Sequence, residues 1–348
     1  MTSICCVTVT YGDRKNLLKQ TISGSLAAGI ENIIVVNNGA SWNVADDIRN
    51  EFDKHTTVVN IDHNSGSAHG FRKGLETALL LNAEYILLLD DDTAPAPGTI
   101  DRLMSSHQSL ACKYGLDNTI VVGYREAAMR RTIASEGSAY ASSADPPMLR
   151  FSPRRALGRF IAHTLNASEP LGRSTDSTLI RAPFAPFGGI LIHRSVLAKI
   201  GFPDERFVLY CDDFEWTHRI LAHRGIICID TEAPLREIEL SVQFRKNSLT
   251  RFHSLVLRDG GPSDYRIYYE VRNSVYFATH TSRAPSRRSL WRVRLLYIAT
   301  GIISVIHRRR ERFKVIRHAI SDGLTGKLGL NHDFPLEQNL LMKSTPKE

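Results

Sequence analysis

Cysteine is sparse: Cys5, Cys6, Cys112, Cys211 and Cys228 are the only five in 348 residues, an odd number with no CxxC pair. A disulfide framework is therefore not the organising device, and a reduced, cytoplasmic protein is expected. No early segment joins a charged n-region to an apolar h-region, so no signal peptide is expected either. The chain has no GxGxxG and no GxxxxGK[ST], which argues against a dinucleotide fingerprint and a phosphate-cradling Walker loop. Zinc-ligand spacing and aromatic-interleaved basic motifs are also missing, so nothing beyond charge supports nucleic-acid binding. Acids are scarce in the last third, where most of the +8 net charge collects. That asymmetry points to an anionic partner: nucleic acid, phospholipid or a pyrophosphate-bearing substrate.

What the chain does have is organised around Tyr85-Ile86-Leu87-Leu88-Leu89-Asp90-Asp91-Asp92-Thr93. A short apolar run bounded by turn signals reads as a strand buried on both faces of a parallel sheet. Ligands bind outside the carboxyl ends of such strands, so the three acids stand at a mouth. Alternation sends Asp90 and Asp92 to one side, the geometry for a shared Mg²⁺ or Mn²⁺ with substrate phosphates completing its shell. The competing reading is an acidic turn capping the helix that starts near Thr99.

Strand patterns at Ile4–Thr10, Ile33–Val36, Val58–Ile61 and Tyr85–Leu89 alternate with helical ones over Lys15–Ala28 and Phe71–Leu81, which means βαβ units. Arg72 and Lys73 read either as phosphate partners or as a solvated face. From Ser105 to Ser177 little is legible beyond a strand at Ile120–Gly123, and Ala139–Leu157 reads as a long loop. A strand near Ile190–Ile192 and a helix over Ser195–Ile200 follow. A second acidic group, Asp212-Asp213-Phe214-Glu215-Trp216, then opens a helix running to about His223. Carboxylates at a helix N-terminus are held ionised by the macrodipole. These acids read as catalytic, as caps, or as both. Trp216 reads as core packing or as a wall for an acceptor sugar.

These pieces, in this order, resemble a known family. Thr8-Val9-Thr10-Tyr11-Gly12-Asp13-Arg14, Val35-Val36-Asn37-Asn38-Gly39, Asn64-Ser65-Gly66, Leu89-Asp90-Asp91-Asp92 and Phe187-Gly188-Gly189 are similar to motifs of inverting GT-A nucleotide-sugar glycosyltransferases. So are Asp212-Asp213-Phe214-Glu215-Trp216, Tyr268-Tyr269-Glu270-Val271-Arg272-Asn273 and Asp322-Gly323-Leu324-Thr325-Gly326. The match is to the large second family, with its galactofuranosyl and rhamnosyl transferases. The resemblance implies an α/β fold of GT-A type: a Rossmann-like, mostly parallel sheet with flanking helices, plus a basic helical C-terminal region. A catalytic domain over 1–250 is expected, with a nucleotide-sugar half over about 1–125 and an acceptor half over about 178–250. Residues 251–348 then form the C-terminal region.

By the same resemblance Thr10, Tyr11, Asp13, Arg14, Asn38, Asn64 and Asp91 meet the donor, and Asp90 and Asp92 hold Mn²⁺ or Mg²⁺. Asp213 deprotonates the acceptor hydroxyl, with Asp212 the runner-up, and Glu215, Trp216, Gly188 and Gly189 face the acceptor. Family members often carry a metal-binding histidine after the strand that follows the base helix. Here Thr231–Asn247 contains none, leaving Glu237, Glu239 or His253 as the substitute. The triple aspartate looks more like galactofuranosyl than rhamnosyl relatives. A UDP-sugar donor and a lipid-linked or growing glycan acceptor in cell-surface polysaccharide synthesis are implied. The alternative is a non-catalytic nucleotide- or polyanion-binding protein on the same fold.

The C-terminal region adds a location. Arginines at 283, 287, 288, 292 and 294 precede the apolar run Leu295–Ile306, and Arg308, Arg309, Arg310, Arg312, Lys314 and Arg317 follow it. The run is well short of the about 20 residues that span a bilayer. It suits a helix on an anionic membrane surface, which would make the protein peripheral on the inner face of the cell membrane. The other reading is a core helix closing the domain.

Overall fold

Alternation along the first strand gives the sheet two buried faces. In the computed structural model Cys5, Val7 and Val9 of β1 (Ile4–Gly12) cluster with Ile34, Val36 and Phe71, and Cys6 clusters with Leu18, Ile33 and Val35. The structure describes residues 3–126, 129, 146–149, 178–239, 251–257, 263–281 and 287–336.

After β1 come α1 (Lys15–Ala27), β2 (Asn32–Ala40), α2 (Val44–Phe52), β3 (Thr56–Ile61), α3 (Ser67–Leu80) and β4 (Tyr85–Asp90). Then follow β5 (Thr93–Pro95), α4 (Thr99–Tyr114), β6 (Thr119–Arg125), β7 (Leu179–Arg181), β8 (Ile190–His193), α5 (Ser195–Ile200), α6 (Asp212–Ala222) and β9 (Ile226–Glu237). The sheet order is β3-β2-β1-β4-β8-β6-β9-β5, with β7 also paired to β9. Strands β3, β2, β1 and β4 are mutually parallel, whereas β8 runs antiparallel between β4 and β6. The expected α/β architecture is present, with a mixed, mostly parallel sheet. Helix α2 was not expected; Asn43 caps it, accepting from Asp46 N at 3.2 Å, and Val44, Ile48 and Phe52 bury its inner face.

Four helices complete the described chain: α7 (Arg251–Leu257), α8 (Ser263–His280), α9 (Arg287–Ile306) and α10 (Arg310–Thr325). They share a separate core in which Ile267, Tyr268, Val271, Leu296 and Ile316 pack with Met148 and Val208. Helix α9 is longer than its apolar run suggested. It is 20 residues long, an 18-residue stretch of it reaches a mean hydropathy of 1.4, and by length and composition alone that is enough to cross a membrane. Val293, Leu296, Thr300 and Ile303 bury one side, while Trp291, Ile298, Ile302, Val305 and Ile306 are exposed on the other. The helix therefore closes a core and also presents an apolar face beside its arginines. The loop expected over Ala139–Leu157 lies outside the described residues except at 146–149.

Candidate active site

Strand β4 brings its carboxyl end to the crevice beside β1 and stops at Asp90; Asp91 and Asp92 form a turn. Strand alternation therefore does not place Asp92 on the side of Asp90, contrary to the expectation. The acids do not cap the next helix either, since α4 starts after a left-handed Gly98 with no side-chain cap.

Two arginines organise this end of the sheet. Arg125, at the end of β6, donates from Nη1 to Asp90 Oδ2 at 2.6 Å and from Nη2 to Glu237 Oε1 at 3.2 Å. Arg14 donates from Nε to both Asp91 oxygens at 2.8 and 3.0 Å, and from Nη2 to Asp92 at 2.8 Å. Its Nη1 reaches Glu239 at 3.2 Å. Burial pushes the Asp91 carboxyl up to about 7, outweighing the pull of Arg14, and it lifts Asp90 as well. Thr10 is buried below this cluster, Tyr11 is exposed with Arg14 over its ring at 5.5 Å, and Asp13 is exposed.

Helix α6 supplies the other acids. Its N-cap position is Cys211, left-handed and without a side-chain cap bond, so neither aspartate serves as the cap. Ser67 Oγ donates to Asp212 Oδ2 at 2.7 Å, and Phe214 N donates to Asp213 Oδ1 at 2.8 Å. Burial pushes Asp212 up to about 6. Burial and the neighbouring Asp212 hold Asp213 well above the ordinary carboxylate range. The expected macrodipole bias toward the charged form is outweighed here by desolvation and like charge, which raise both carboxyls.

Asp90 of the triple aspartate and the Asp212–Asp213 pair line one cavity of about 280 Å³, together with Ser67, Phe187, Tyr210, Glu270 and Ser274. Arg125 and Glu270 went unassigned in the sequence. Arg125 stands where Asp90 does, at a strand's carboxyl end, and that rule would have found it.

Several assigned residues turn out to have structural duties. Trp216 is fully buried, packs beside Phe187 and donates from Nε1 to Gly201 O at 2.8 Å, so its ring offers no wall to a sugar. Glu215 is paired with Arg219 at 2.5 Å. Asn38 is buried and holds the turn after β3, donating to Gly66 O at 3.0 Å and accepting from Ser65 N at 3.0 Å. Asn64 accepts from Gly66 N at 3.0 Å within that same turn. Gly188 leaves room for the Asp90–Arg125 pair: an added Cβ would lie 2.5 Å from Asp90 Oδ2 and 2.6 Å from Arg125 Nη1. Gly189, with φ +105°, joins the sheet by donating to Leu88 O at 2.7 Å, and Leu235 fills the space its Cβ would need. Arg72 and Lys73 are engaged by Glu76 on the helix surface.

The family implied by the sequence typically uses a divalent metal. Asp90, Asp92 and Glu237 are hard oxygen donors of the kind Mg²⁺ and Mn²⁺ take. Among the described residues no three His, Cys, Asp or Glu side chains converge as a ready cluster. The donor chemistry therefore fits a cation held by one or two carboxylates, with phosphate and water oxygens as its remaining ligands.

A mostly parallel sheet with acids at the carboxyl end of β4, and C-terminal helices packed beyond it, is a fold of GT-A type. The description of glycosyl transferase family 2 matches residues 5–201, more than half the chain, and the chain belongs to this family. Galactofuranosyltransferase GlfT1 of Mycolicibacterium smegmatis is 26% identical over 226 residues, covering 64% of this chain and 66% of that protein. GlfT1 of Mycobacterium tuberculosis is 29% identical over 178 residues, 50% of each chain. The matches thus span between half and two thirds of these relatives' length. The crystal structure of GalNAc-T7 with UDP, GalNAc and Mn²⁺ superposes with a TM-score of 0.52 at 14% identity, covering 94% of this chain and 58% of that one. That likeness concerns the fold.

Proposed function

We propose that the protein is an inverting, metal-dependent galactofuranosyltransferase, using a UDP-sugar donor and a lipid-linked or growing glycan acceptor in cell-surface polysaccharide synthesis. The observation that carries this reading is one cavity whose lining brings together Asp90 from the end of β4 and Asp212 and Asp213 from the start of α6. An inverting displacement needs an acceptor-side base and stabilisation of the leaving diphosphate around one anomeric carbon. Asp213 takes the proton of the acceptor hydroxyl as the new C–O bond forms at the anomeric carbon, and the bond to the diphosphate breaks on the opposite face. A carboxyl held above its ordinary range is a stronger proton acceptor once ionised, which suits it to a weakly acidic hydroxyl. A cation held through Asp90 and Asp92 would offset the charge gathering on the leaving diphosphate. Arg14, bound to Asp92 and lying over the Tyr11 ring, would meet the donor together with Tyr11 beside these acids. The preference for galactofuranose over rhamnose rests on the GlfT1 relatives and on the Asp-Asp-Asp run.

The same proposal includes a location. The exposed apolar side of α9, with Trp291, Ile302 and Val305, lies between arginine groups at both ends of the helix. That combination suits peripheral attachment to an anionic, inner-face membrane surface, where a lipid-linked acceptor is presented. The test of the activity is UDP release from UDP-galactofuranose with Mn²⁺ and an alkyl galactofuranoside acceptor. Turnover that needs both the metal and the acceptor supports the proposal. UDP binding with no sugar transferred to any acceptor would favour the non-catalytic alternative.

A further inference from the structure

The loop that delivers Asp212 and Asp213 is held in an unfavourable shape. Val208 has φ 66° and ψ −65°, Tyr210 has φ 67°, and Cys211 has φ 59°. None is glycine, and a β-branched residue in the positive-φ region is a genuine outlier that persists only when its surroundings impose it. The surroundings here come from far along the chain, in the Arg272-Asn273 part of a sequence motif to which the proposed chemistry gives no role.

Both residues lie on α8 and are buried, at 1% and 0% exposure. Asn273 Nδ2 faces three carbonyls of the loop at once: Phe207 O at 2.8 Å, Leu209 O at 2.8 Å and Tyr210 O at 2.9 Å. An amide has two N–H groups, so one of them is shared. Arg272 sets the orientation of that amide by donating from Nε to Asn273 Oδ1 at 2.8 Å, which leaves the nitrogen toward the loop. Arg272 Nη2 adds bonds to Phe207 O at 3.0 Å and Arg206 O at 3.2 Å, and Nη1 donates to Gly329 O at 2.5 Å. The Tyr269 ring lies 4.7 Å from the guanidinium carbon and fixes its plane. One residue on, Ser274 Oγ lies 3.3 Å from Cys211 Sγ.

On its other side the loop rests against the start of α3. Ala68 N donates to Val208 O at 3.4 Å, and Gly66, with φ +92°, allows that approach because a Cβ there would collide with Val208 O. The turn is thus pinned between the donor-half helix α3 and the C-terminal helix α8. Glu270 and Ser274 of α8 line the same cavity as the acids, so the clamp and the cavity wall are one helix.

We propose that Arg272 and Asn273 are the positioning residues of the acceptor-side base: by holding the left-handed turn Val208–Cys211 they set where the first residues of α6 meet the acceptor hydroxyl. The inference rests on the reading of Asp213, with Asp212 beside it, as that base. It also gives the C-terminal helices a part in the chemistry, because the base is aimed from α8.

The test uses the full chain carrying Asn273→Ala, with Asn273→Ser as the milder variant that keeps one donor, and Asp213→Asn in parallel. Each is assayed for UDP-galactofuranose turnover with an alkyl galactofuranoside, for donor KM, for Mn²⁺-dependent UDP binding, and for thermal unfolding. In the folded Asn273→Ala protein kcat should fall about 10–10²-fold, the usual consequence of misplacing a reacting group by about an ångström. Donor KM and UDP affinity should stay within about twofold, and Asn273→Ser should lie between Asn273→Ala and the parent. If Asn273→Ala does not fold, Asn273→Ser carries the same comparison. A folded variant with parental kcat would overturn the proposal, as would losses of kcat and UDP-binding capacity in the same proportion, the mark of a merely structural role. Parental turnover by Asp213→Asn would instead overturn the assignment of the base, whatever Asn273→Ala does.

Discussion

Replacing Asp213 by Asn should make the protein more stable at pH 8 while removing its activity. The neighbouring Asp212 is displaced from 3.8 to about 6, so ionising it in the fold costs on the order of 3 kcal/mol. Asp213 is raised further by the same burial and by the charge beside it. A neutral amide removes one of two crowded charges. It also loses one of the two carboxylate oxygens as an acceptor and must keep the bond from Phe214 N through its single amide oxygen. That loss is worth about 1 kcal/mol. The charge effect is the larger, and a net gain of about 1–2 kcal/mol is expected at pH 8. A carboxyl raised in the folded state binds its proton more tightly there than in the unfolded chain. Folded stability is therefore greatest below the unfolded value and declines as pH rises through the folded one. At pH 4 the parent pair is already protonated, so the variant should lose its advantage and become slightly less stable. Urea denaturation of both proteins at pH 4, 6 and 8 reads the difference directly. Transfer should meanwhile fall about 10²–10⁴-fold, the usual worth of a positioned base. A variant less stable than the parent at every pH would refute the reasoning about the crowded pair.

Asp90→Ala should abolish Mn²⁺-dependent UDP binding, measured by calorimetry, while the protein still unfolds cooperatively; unchanged affinity would remove Asp90 from the metal assignment. Transfer should show an acidic limb above the ordinary carboxylate range, because the base must lose its proton and burial raises the value at which it does; a rate already flat down to pH 4 would contradict this. Trp216→Ala should cost about 3–5 kcal/mol of stability, since the indole fills the core; loss of acceptor affinity in a stable variant would return the ring to the acceptor site. Reversing Arg308, Arg309 and Arg310 to Glu should release the protein from anionic vesicles in a sedimentation assay, with each basic side chain worth about 1 kcal/mol at such a surface. Equal sedimentation of both proteins would count against the membrane proposal.

The half-sheet was legible because buried parallel strands write themselves as unbroken apolar runs, as Tyr85–Leu89 does, and because polar residues then mark the carboxyl ends. Helix α2 was missed although Asn43 and the spacing of Val44, Ile48 and Phe52 carried the signal. The antiparallel course of β8 could not be read, since Ile190–His193 has the same apolar pattern in either direction. The motifs located the acid groups but not their partners. The ion pairs Arg14–Asp91 and Arg125–Asp90 join residues 77 and 35 positions apart, and only the closed sheet brings them together. Asn38 and Trp216 show the opposite limit: a motif residue can be specific to a fold because it holds a turn or fills a core. Burial also reversed one inference, because the raised carboxyls at Asp212 and Asp213 come from desolvation that no local pattern displays.

The central claim is that one cavity carries a donor-side acid and an acceptor-side base for galactofuranosyl transfer. It is tested most directly by offering the full-length chain UDP-galactofuranose, UDP-galactopyranose, UDP-glucose and dTDP-rhamnose in turn, with Mn²⁺ and an alkyl galactofuranoside. The product is read by mass and by the anomeric configuration of the new linkage. A single added hexose from UDP-galactofuranose is expected, with inverted configuration and strict dependence on the metal and on Asp213. A product of retained configuration, or full transfer by Asp213→Asn, would contradict that claim.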